Sequence, residues 1–185
     1  MSEWYETLDG LLTQAWETLR LGVCNPQHPA RLPNFATVSP DGWPEARTVV
    51  LRSAEAASAE VSVHTDLFSG KVQSLRANPK ASLHIWDSEQ ALQLRMKTEV
   101  SIASGVDTRQ LWDQIPDHAQ QSYGVTPPPG SGIDAALDYV KEPDPDTFAV
   151  LTCRISQIDV VHLGDDHRRA LFSREGNWAG QWLSP

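Results

Sequence analysis

The residues best suited to chemistry stand where a predicted helix begins. Ser69-Gly70-Lys71 opens a run that has helical spacing over residues 72–77 and that Asn78-Pro79 ends. Ser69 is therefore predicted to be the N-cap. The free backbone N–H groups, the positive end of the helix dipole and the lysine would point the same way, which is how proteins hold a phosphate. The same residues also fit an ordinary turn with solvated basic side chains.

Two predicted strands lead into this turn and would position it. Residues 47–52 are β-branched and apolar between two arginines, and residues 60–65 alternate polar and apolar side chains. Arg47 could complete the phosphate site with a bidentate guanidinium contact. Arg47 and Arg52 are five residues apart, which places them on opposite faces of a regular strand. Only one of them is therefore expected to reach the phosphate.

The charge distribution favours a small anionic ligand over a polyanion. The net charge of −9 argues against a nucleic-acid or anionic-membrane surface. Residues 47–97, however, carry seven basic and five acidic side chains, whereas the rest of the chain carries eight and 19. This basic island in an acidic protein is where a small anion would be attracted.

The remaining elements predict an antiparallel β protein. Residues 1–22 form an amphipathic N-terminal helix. The turn Ser39-Pro40-Asp41-Gly42 joins a strand at 34–38 to the strand of Arg47, and a second hairpin joins 81–86 to 92–102. On the latter strand Gln93, Arg95 and Lys97 share one face. Residues 148–153 and 155–162 are predicted to form one or two more strands, and residues 169–173 and 178–183 a C-terminal hairpin. We therefore predict a mainly β fold, a six- to seven-stranded antiparallel Greek-key barrel with peripheral helices.

One long segment, residues 116–146, is rich in proline, glycine and acidic residues. A helix is predicted before it at 107–115, and one short helix within it at 133–140. A segment of this length inside one domain is usually a functional cover or a mobile loop, and the sequence does not choose between them.

The chain as a whole reads as one domain over residues 1–185. No run approaches the ~18–20 apolar residues that span a bilayer, and the start lacks the pattern of a signal peptide. A cytoplasmic protein without a membrane partner is the default expectation. The six histidines are scattered and Cys24 and Cys153 have no metal-type spacing, so no metal site is predicted.

The ordered set of motifs resembles the pyridoxamine 5'-phosphate oxidase family of FMN-binding split barrels. That family has an Arg-x-Val-Leu-Leu-Lys strand, Ser-Arg-Lys at a helix start, Asn-Pro, and then a strand with Arg-Gln-Val-Arg. This chain has Arg47-Thr48-Val49-Val50-Leu51-Arg52, Ser69-Gly70-Lys71, Asn78-Pro79 and Leu92-Gln93-Leu94-Arg95. The order and spacing agree over roughly the first hundred residues. The resemblance implies a split barrel.

The resemblance also implies the cofactor, FMN, and the residues that bind it. Arg47, Ser69 and Lys71 would hold the phosphate. The run Thr48, Val49, Val50 and Leu51 would line the ring and ribityl chain, and the flavin would contact Arg52, His64, Thr65 and Gln93.

The end of the chain resembles the family again and implies a second subunit. The family ends in His-x-Arg, a strand, a tryptophan and Leu-x-Pro; here His167-Arg168-Arg169, Trp178 and Leu183-Ser184-Pro185 stand in those places. Arg169 would reach the flavin, and His167, the one candidate catalytic residue, would face the substrate. Because two subunits form the FMN pocket together in that family, a homodimer is implied.

Three departures bear on the substrate. Gly70 replaces the middle arginine of Ser-Arg-Lys, Asp165 stands in place of an arginine that binds the substrate phosphate, and Arg109 is the only arginine between residues 102 and 150. The resemblance thus implies an FMN-dependent oxidoreductase, with hydride transfer through flavin N5, acting on a small molecule other than pyridoxamine 5'-phosphate. The alternatives are a non-enzymatic flavin carrier or sensor, a haem-binding relative on the same barrel, and a barrel without cofactor.

Overall fold

A computed structural model describes residues 3–185 of the chain. Within them the helices are α1 (Leu8–Cys24), α2 (Gly70–Ala77), α3 (Arg109–Trp112) and α4 (Asp117–Gln120). The first strands are β1 (Asn34–Val38), β2 (Pro44–Thr48), β3 (Leu51–Glu55), β4 (Glu60–Asp66), β5 (Lys80–Asp87) and β6 (Leu92–Ser104). They are followed by β7 (Val125–Thr126), β8 (Val140–Lys141), β9 (Phe148–His162), β10 (Arg168–Ser173) and β11 (Gly180–Leu183).

One long strand, β9, organises the main antiparallel sheet. One edge of β9 pairs with β6 along its whole length. Its other edge pairs with β4 over residues 148–154 and with β10 over residues 157–162, so the sheet divides there. The order β2-β1-β5-β6-β9-β4-β3 brings β3 back towards β2, which directly precedes it in the chain. The predicted mainly β, antiparallel split-barrel class is confirmed.

The apolar core lies between the inner face of this sheet and α1. Side chains of β6 alternate along the strand: Leu92, Leu94 and Met96 are buried, while Arg95 and Lys97 point outwards. Leu11, Ala15 and Leu19 of α1 are fully buried in the same cluster. The predicted division of β6 into two faces is confirmed.

The N-terminal helix is displaced from its predicted position. The prediction begins before residue 3, outside the described residues. A 3-10 turn, Trp4–Glu6, comes first, and α1 begins only after Thr7, whose hydroxyl accepts a hydrogen bond from Gly10 N at 3.0 Å. The helix then continues past Gly22 to Cys24, because Gly22 packs so closely on Ala30 that a Cβ would lie 2.6 Å from its carbonyl carbon.

The predicted strand 47–52 is wrong in one respect, since it is two strands. β2 ends at Thr48 and β3 begins at Leu51, and between them Val49 N donates to Pro33 O at 3.1 Å instead of to a neighbouring strand. A bulge follows at Arg52. The argument that Arg47 and Arg52 lie on opposite faces assumed one regular strand. Because the chain is interrupted between them, that argument does not apply. The main sheet has nine strands, more than the six or seven predicted, and the division of 47–52 accounts for one of them.

Two helix predictions after residue 105 are corrected. The helix at 107–115 is reduced to a 3-10 turn and the four residues of α3. The helix at 133–140 is absent, because Ile133 and Leu137 are exposed and a helix there would have no core to pack on. Val140–Lys141 instead pairs with Val125–Thr126 as a short hairpin, and α4 was not predicted. Among the described residues, no helix is both long and apolar enough to cross a membrane.

Candidate functional site

The turn between β4 and α2 gathers a lysine and two hydroxyl groups. Ser69 occupies the predicted N-cap position, but its hydroxyl does not cap the helix; it lies 3.2 Å from Thr65 Oγ1. Lys71 Nζ donates to the same Thr65 oxygen at 2.9 Å. Both hydroxyl residues are buried. The end of β4 and the start of α2 therefore present one ammonium group among polar side chains.

Two backbone N–H groups in this turn are unpaired. Among residues 3–185, the N–H groups of Gly70 and Lys71 take part in no hydrogen bond with the protein. A Cβ placed on Gly70 would have no atom within 4 Å, so the turn faces open space. Unpaired N–H groups at the start of a helix are the standard requirement for binding an oxyanion.

Arg47 lies beside α2 and is held in place by its own strands. Its guanidinium donates to Thr37 Oγ1 at 2.7 Å and to Glu45 Oε2 at 2.9 Å. Glu45 in turn accepts from Ser74 Oγ of α2 at 3.4 Å. This chain of contacts positions the arginine against the helix that carries Lys71.

The electrostatics of Lys71 indicate a site for an anion. Burial lowers the pKa of Lys71, and the positive charge of Arg47 lowers it further, opposed by Asp66. The two cations are thus close enough to repel each other. An anion bound between them would relieve this repulsion and restore the lost solvation. The predicted residues Arg47, Ser69 and Lys71 are brought to one place.

A second part of the site surrounds Arg52, which the bulge in β3 directs away from the regular ladder. The Nε atom of Arg52 is buried, with no hydrogen-bond partner in the described part of the chain. Burial, followed by the charge of Arg52, lowers the pKa of His64 to about 4, so that this imidazole is neutral at pH 7. Its ring packs edge-on against Phe148 with 5.0 Å between centroids. A guanidinium N–H without a partner, beside a neutral imidazole, suits a ligand that offers a hydrogen-bond acceptor, whether that acceptor is uncharged or anionic.

The four residues between the two arginines differ in exposure. Val49 and Leu51 are buried in the core, whereas Thr48 is exposed and Val50 is half-buried. Leu51 O accepts from Arg31 Nη1 at 3.2 Å, which fixes the start of β3. Side-chain contact with a ligand is therefore open to Thr48 and Val50.

Some residues of this region were missed by sequence analysis. Tyr123 packs on Trp112 and Phe148, and its pKa is raised by burial, with the charge of Arg52 acting in the opposite direction. It comes from the irregular segment, where no pattern marks it. Asp66 could have been noticed, since an acidic residue just before a turn commonly accepts from the backbone two residues on. Its carboxylate accepts from Phe68 N at 2.8 Å and from Gly124 N at 3.2 Å.

Gln93 and Arg169 form a second, separate group. They lie on the outer face of β6 and β10, where Gln93 Oε1 is 3.3 Å from His84 Nε2 and Arg169 makes two hydrogen bonds to Asp159. His167 is exposed just before β10.

The distance between the two groups follows from the strand register. His64 pairs with Val150 of β9, and Val150 pairs with Ala103 of β6, ten residues further along that strand than Gln93. At about 3.3 Å per residue this separates His64 from Gln93 by roughly 30 Å along the strands. His64 is therefore not brought close to Gln93 within one protomer. Arg47 lies nearer to Gln93 in register, because it pairs with Phe35, Phe35 pairs with Leu83, and Leu83 pairs with Met96.

No group of three or more His, Cys, Asp or Glu side chains within the described residues has the arrangement of a metal site. The donors around α2 are ammonium, guanidinium, hydroxyl and backbone N–H groups, which suit a phosphate. An antiparallel split barrel with such donors at a helix start is the arrangement expected of a protein that binds a phosphate-containing ligand.

The family model for "Pyridoxamine 5'-phosphate oxidase, FMN-binding domain" matches residues 1–104. The chain belongs to this family, and both the predicted resemblance and the predicted cofactor, FMN, are confirmed. The match covers the Arg47 strand, the turn at Ser69 and β6. A comparison with curated proteins gave no match.

Solved structures share the fold. A pyridoxamine 5'-phosphate oxidase-related, FMN binding protein from Nostoc punctiforme superposes with a TM-score of 0.74 at 24% identity, covering 100% of this chain and 99% of that chain. PhzG from Burkholderia lata, in complex with tetrahydrophenazine-1-carboxylic acid, gives 0.73 at 20% identity, covering 94% and 91%. A protein from Clostridium acetobutylicum related to general stress protein 26 gives 0.60 at 12% identity, covering 90% and 96%.

Proposed function

We propose that the protein is a homodimeric, FMN-dependent oxidoreductase that acts on a small molecule other than pyridoxamine 5'-phosphate. The observation that carries the proposal is the approach of Arg47 to Lys71 at the start of α2, where burial and then the charge of Arg47 lower the pKa of Lys71. Two neighbouring, partly buried cations beside unpaired backbone donors need an anion, and a flavin phosphate supplies one.

The phosphate would be held by Arg47, Ser69 and Lys71, together with the free N–H groups of the turn. Arg47 already has its orientation fixed by Thr37 and Glu45, so little of its side-chain freedom remains to be lost on binding. Gly70, in place of the family's arginine, leaves space above the turn and removes one phosphate contact.

The ring and ribityl chain would lie along residues 48–51, with Arg52, His64 and Thr65 beside them. When bound, FMN supplies hydride transfer through its N5 atom, so the protein needs no nucleophile of its own. The buried Nε of Arg52 is available to donate to the flavin or the substrate. His64 remains neutral at pH 7, so it would add hydrogen bonding without a second positive charge.

The homodimer is proposed because two of the expected flavin contacts, Gln93 and Arg169, lie on a different part of the sheet from His64. Gln93 and Arg169 are roughly 30 Å along the sheet from His64, too far for one cofactor within a protomer. A second copy could bring its own outer face of β6 and β10 to the first copy's turn. Each flavin would then be held by Arg47 and Lys71 of one subunit and by Gln93 and Arg169 of the other.

The substrate is proposed to lack a phosphate. Asp165 and His167 are both exposed in the turn between β9 and β10, and the carboxylate would repel a phosphorylated substrate. His167 is the candidate acid or base. The whole chain would act as one domain, since α1 and the barrel strands share one apolar core.

Two measurements test this function. The absorption spectrum of the purified protein, recorded before and after adding FMN, should show a bound flavin, and anaerobic mixing with candidate donors should bleach it. A colourless protein whose spectrum shows no bound flavin after FMN is added would refute the proposal. A protein that keeps FMN but turns over no donor would instead favour a flavin carrier or sensor.

A further inference from the structure

One carboxylate on the outer face of the sheet holds two arginines at once. Asp159 of β9 accepts from Arg169 through both oxygens, Nε to Oδ1 at 3.1 Å and Nη2 to Oδ2 at 2.9 Å. Arg95 Nη2 of β6 donates to the same Oδ2 at 2.6 Å. The Asp159 side chain is only 15% exposed, although it lies on an outward-facing position. Three strands, β6, β9 and β10, thus meet at one ionic cluster.

This cluster forms one wall of a cavity of about 470 Å³. The cavity is also lined by Lys97, His84 and the apolar side chains Leu171 and Leu183. Its charged wall contains three cations and one carboxylate, in a chain whose net charge is −9. A partly apolar cavity with excess positive charge suits an anionic group better than it suits a cation.

We propose that Asp159 is a positioning residue of the flavin site, acting through Arg169 across the subunit interface. This inference rests on the proposed homodimeric FMN site. The contact with Asp159 occupies Nε and Nη2 of Arg169, and Nη1 has no partner among residues 3–185. Asp159 therefore fixes the plane of the guanidinium while leaving one end free to donate outwards.

The physical basis is preorganisation and charge. A free arginine side chain carries about 2 kcal/mol of rotamer entropy, part of which would be lost each time a flavin bound. Asp159 removes that freedom in the absence of ligand. Its negative charge also offsets the repulsion between the two guanidinium groups, and it leaves the cluster of Arg95, Asp159 and Arg169 with a single net positive charge.

The test compares FMN affinity in Asp159→Asn, Arg169→Ala and the double variant, measured by quenching of flavin fluorescence. Asparagine keeps the size of the side chain but loses the charge and the second acceptor oxygen. We expect Asp159→Asn to weaken FMN binding about tenfold, and the double variant to bind no more weakly than Arg169→Ala alone. A merely structural role would give additive losses.

The control is Asp146→Asn, which breaks the exposed pair of Asp146 with Arg109 away from this face and should leave FMN affinity unchanged. If Asp159→Asn does not fold, Asp159→Glu, which keeps the charge but moves it by one methylene, should show an intermediate loss. Wild-type affinity in the Asp159 variants, or additive losses in the double variant, would overturn the inference. Failure of the wild-type protein to bind FMN would instead overturn the proposed function.

Discussion

At the scale of single residues, the proposed site depends on Arg47 and Lys71, which the fold places close together although their positive charges repel. Burial, followed by the positive charge of Arg47, lowers the pKa of Lys71 in the absence of ligand. Their types and their positions in the sequence were enough to predict a phosphate site. Their supports, Thr37 and Glu45, were not predictable, because their roles depend on the pairing of β1 with β2 and on the packing of α2.

The first prediction concerns these cations. Lys71→Ala and Arg47→Ala should each weaken FMN binding by about 1.5–3 kcal/mol, the range for a hydrogen bond to a charged group. Isothermal titration with FMN measures the change. Arg76→Ala is the matched control, because Arg76 is an exposed basic residue in the last turn of the same helix. Unchanged affinity in both site variants would place the phosphate elsewhere.

The second prediction concerns His64, whose pKa falls from its ordinary 6.5 to about 4, first through burial and then through the charge of Arg52. Between these values the unfolded chain binds a proton that the folded chain does not. Stability must therefore fall as pH drops from 6.5 towards 4. After discounting for solvent screening of a partly exposed group, the loss between pH 7 and pH 5 should be about 1 kcal/mol.

Urea unfolding of the apoprotein at the two pH values measures this loss. Carboxylates titrate in the same window, so the informative quantity is the difference between the wild type and His64→Gln, which cannot take up the proton. The variant should lose about 1 kcal/mol less stability than the wild type over this range. Identical losses in both proteins would mean that His64 is not held in its neutral form.

At the scale of elements, turn residues in the sequence predicted the hairpins correctly, but no residue pattern predicted the break within a strand. The turn Ser39-Pro40-Asp41-Gly42 joins β1 to β2 as expected, because its residues determine the chain reversal by themselves. The break between β2 and β3 carries no such signal. Val49 and Val50 favour a continuous strand, and the break arises because Val49 N pairs with Pro33, a contact made only in the folded barrel.

The third prediction concerns the segment that follows β6 and its attachment to the phosphate turn. Gly124 adopts φ +92° and its N–H donates to Asp66, next to that turn. A Cβ at Gly124 would lie 2.0 Å from Glu142 O, so Gly124→Ala must displace the backbone as well as strain it. We expect a loss of about 2–3 kcal/mol in the free energy of unfolding, with faster proteolysis between residues 105 and 147.

Gly130 provides the matched control for this substitution. It has nearly the same backbone angle, φ +91°, but a Cβ there would meet nothing within 4 Å. Gly130→Ala should therefore cost only the strain of the angle, about 1 kcal/mol. Equal losses at the two glycines, measured by urea unfolding, would show that the contact of Gly124 with Glu142 does not hold the segment in place.

At the scale of the whole molecule, the sequence predicted which residues belong to the site but not how they are divided. Motif order identified Lys71 and Gln93 as members of one site. It could not show how far His64 lies from Gln93, because that separation depends on the register of β6 against β9 and of β9 against β4. The division of the site is what makes a second copy of the chain necessary in the proposed function.

The fourth prediction tests this division directly. In a two-fold symmetric dimer, Lys71→Ala damages one half of each flavin site and Arg169→Ala damages the other half. A mixed dimer of the two variants would contain one site with both defects and one site with neither. Random pairing should therefore restore wild-type affinity to about a quarter of all sites, although each variant alone binds weakly.

The mixed dimer can be isolated by co-expressing the variants with two different affinity tags and purifying on both in turn. FMN titration of this sample should then show two classes of site in equal amounts, one of wild-type affinity and one weaker than either parent. Sites that are all weak would mean that Lys71 and Arg169 of the same protomer serve the same flavin, or that Arg169 serves none. Both variants share one fold and one interface. Sites of wild-type affinity can therefore arise only where Lys71 of the Arg169→Ala subunit and Arg169 of the Lys71→Ala subunit contact the same flavin.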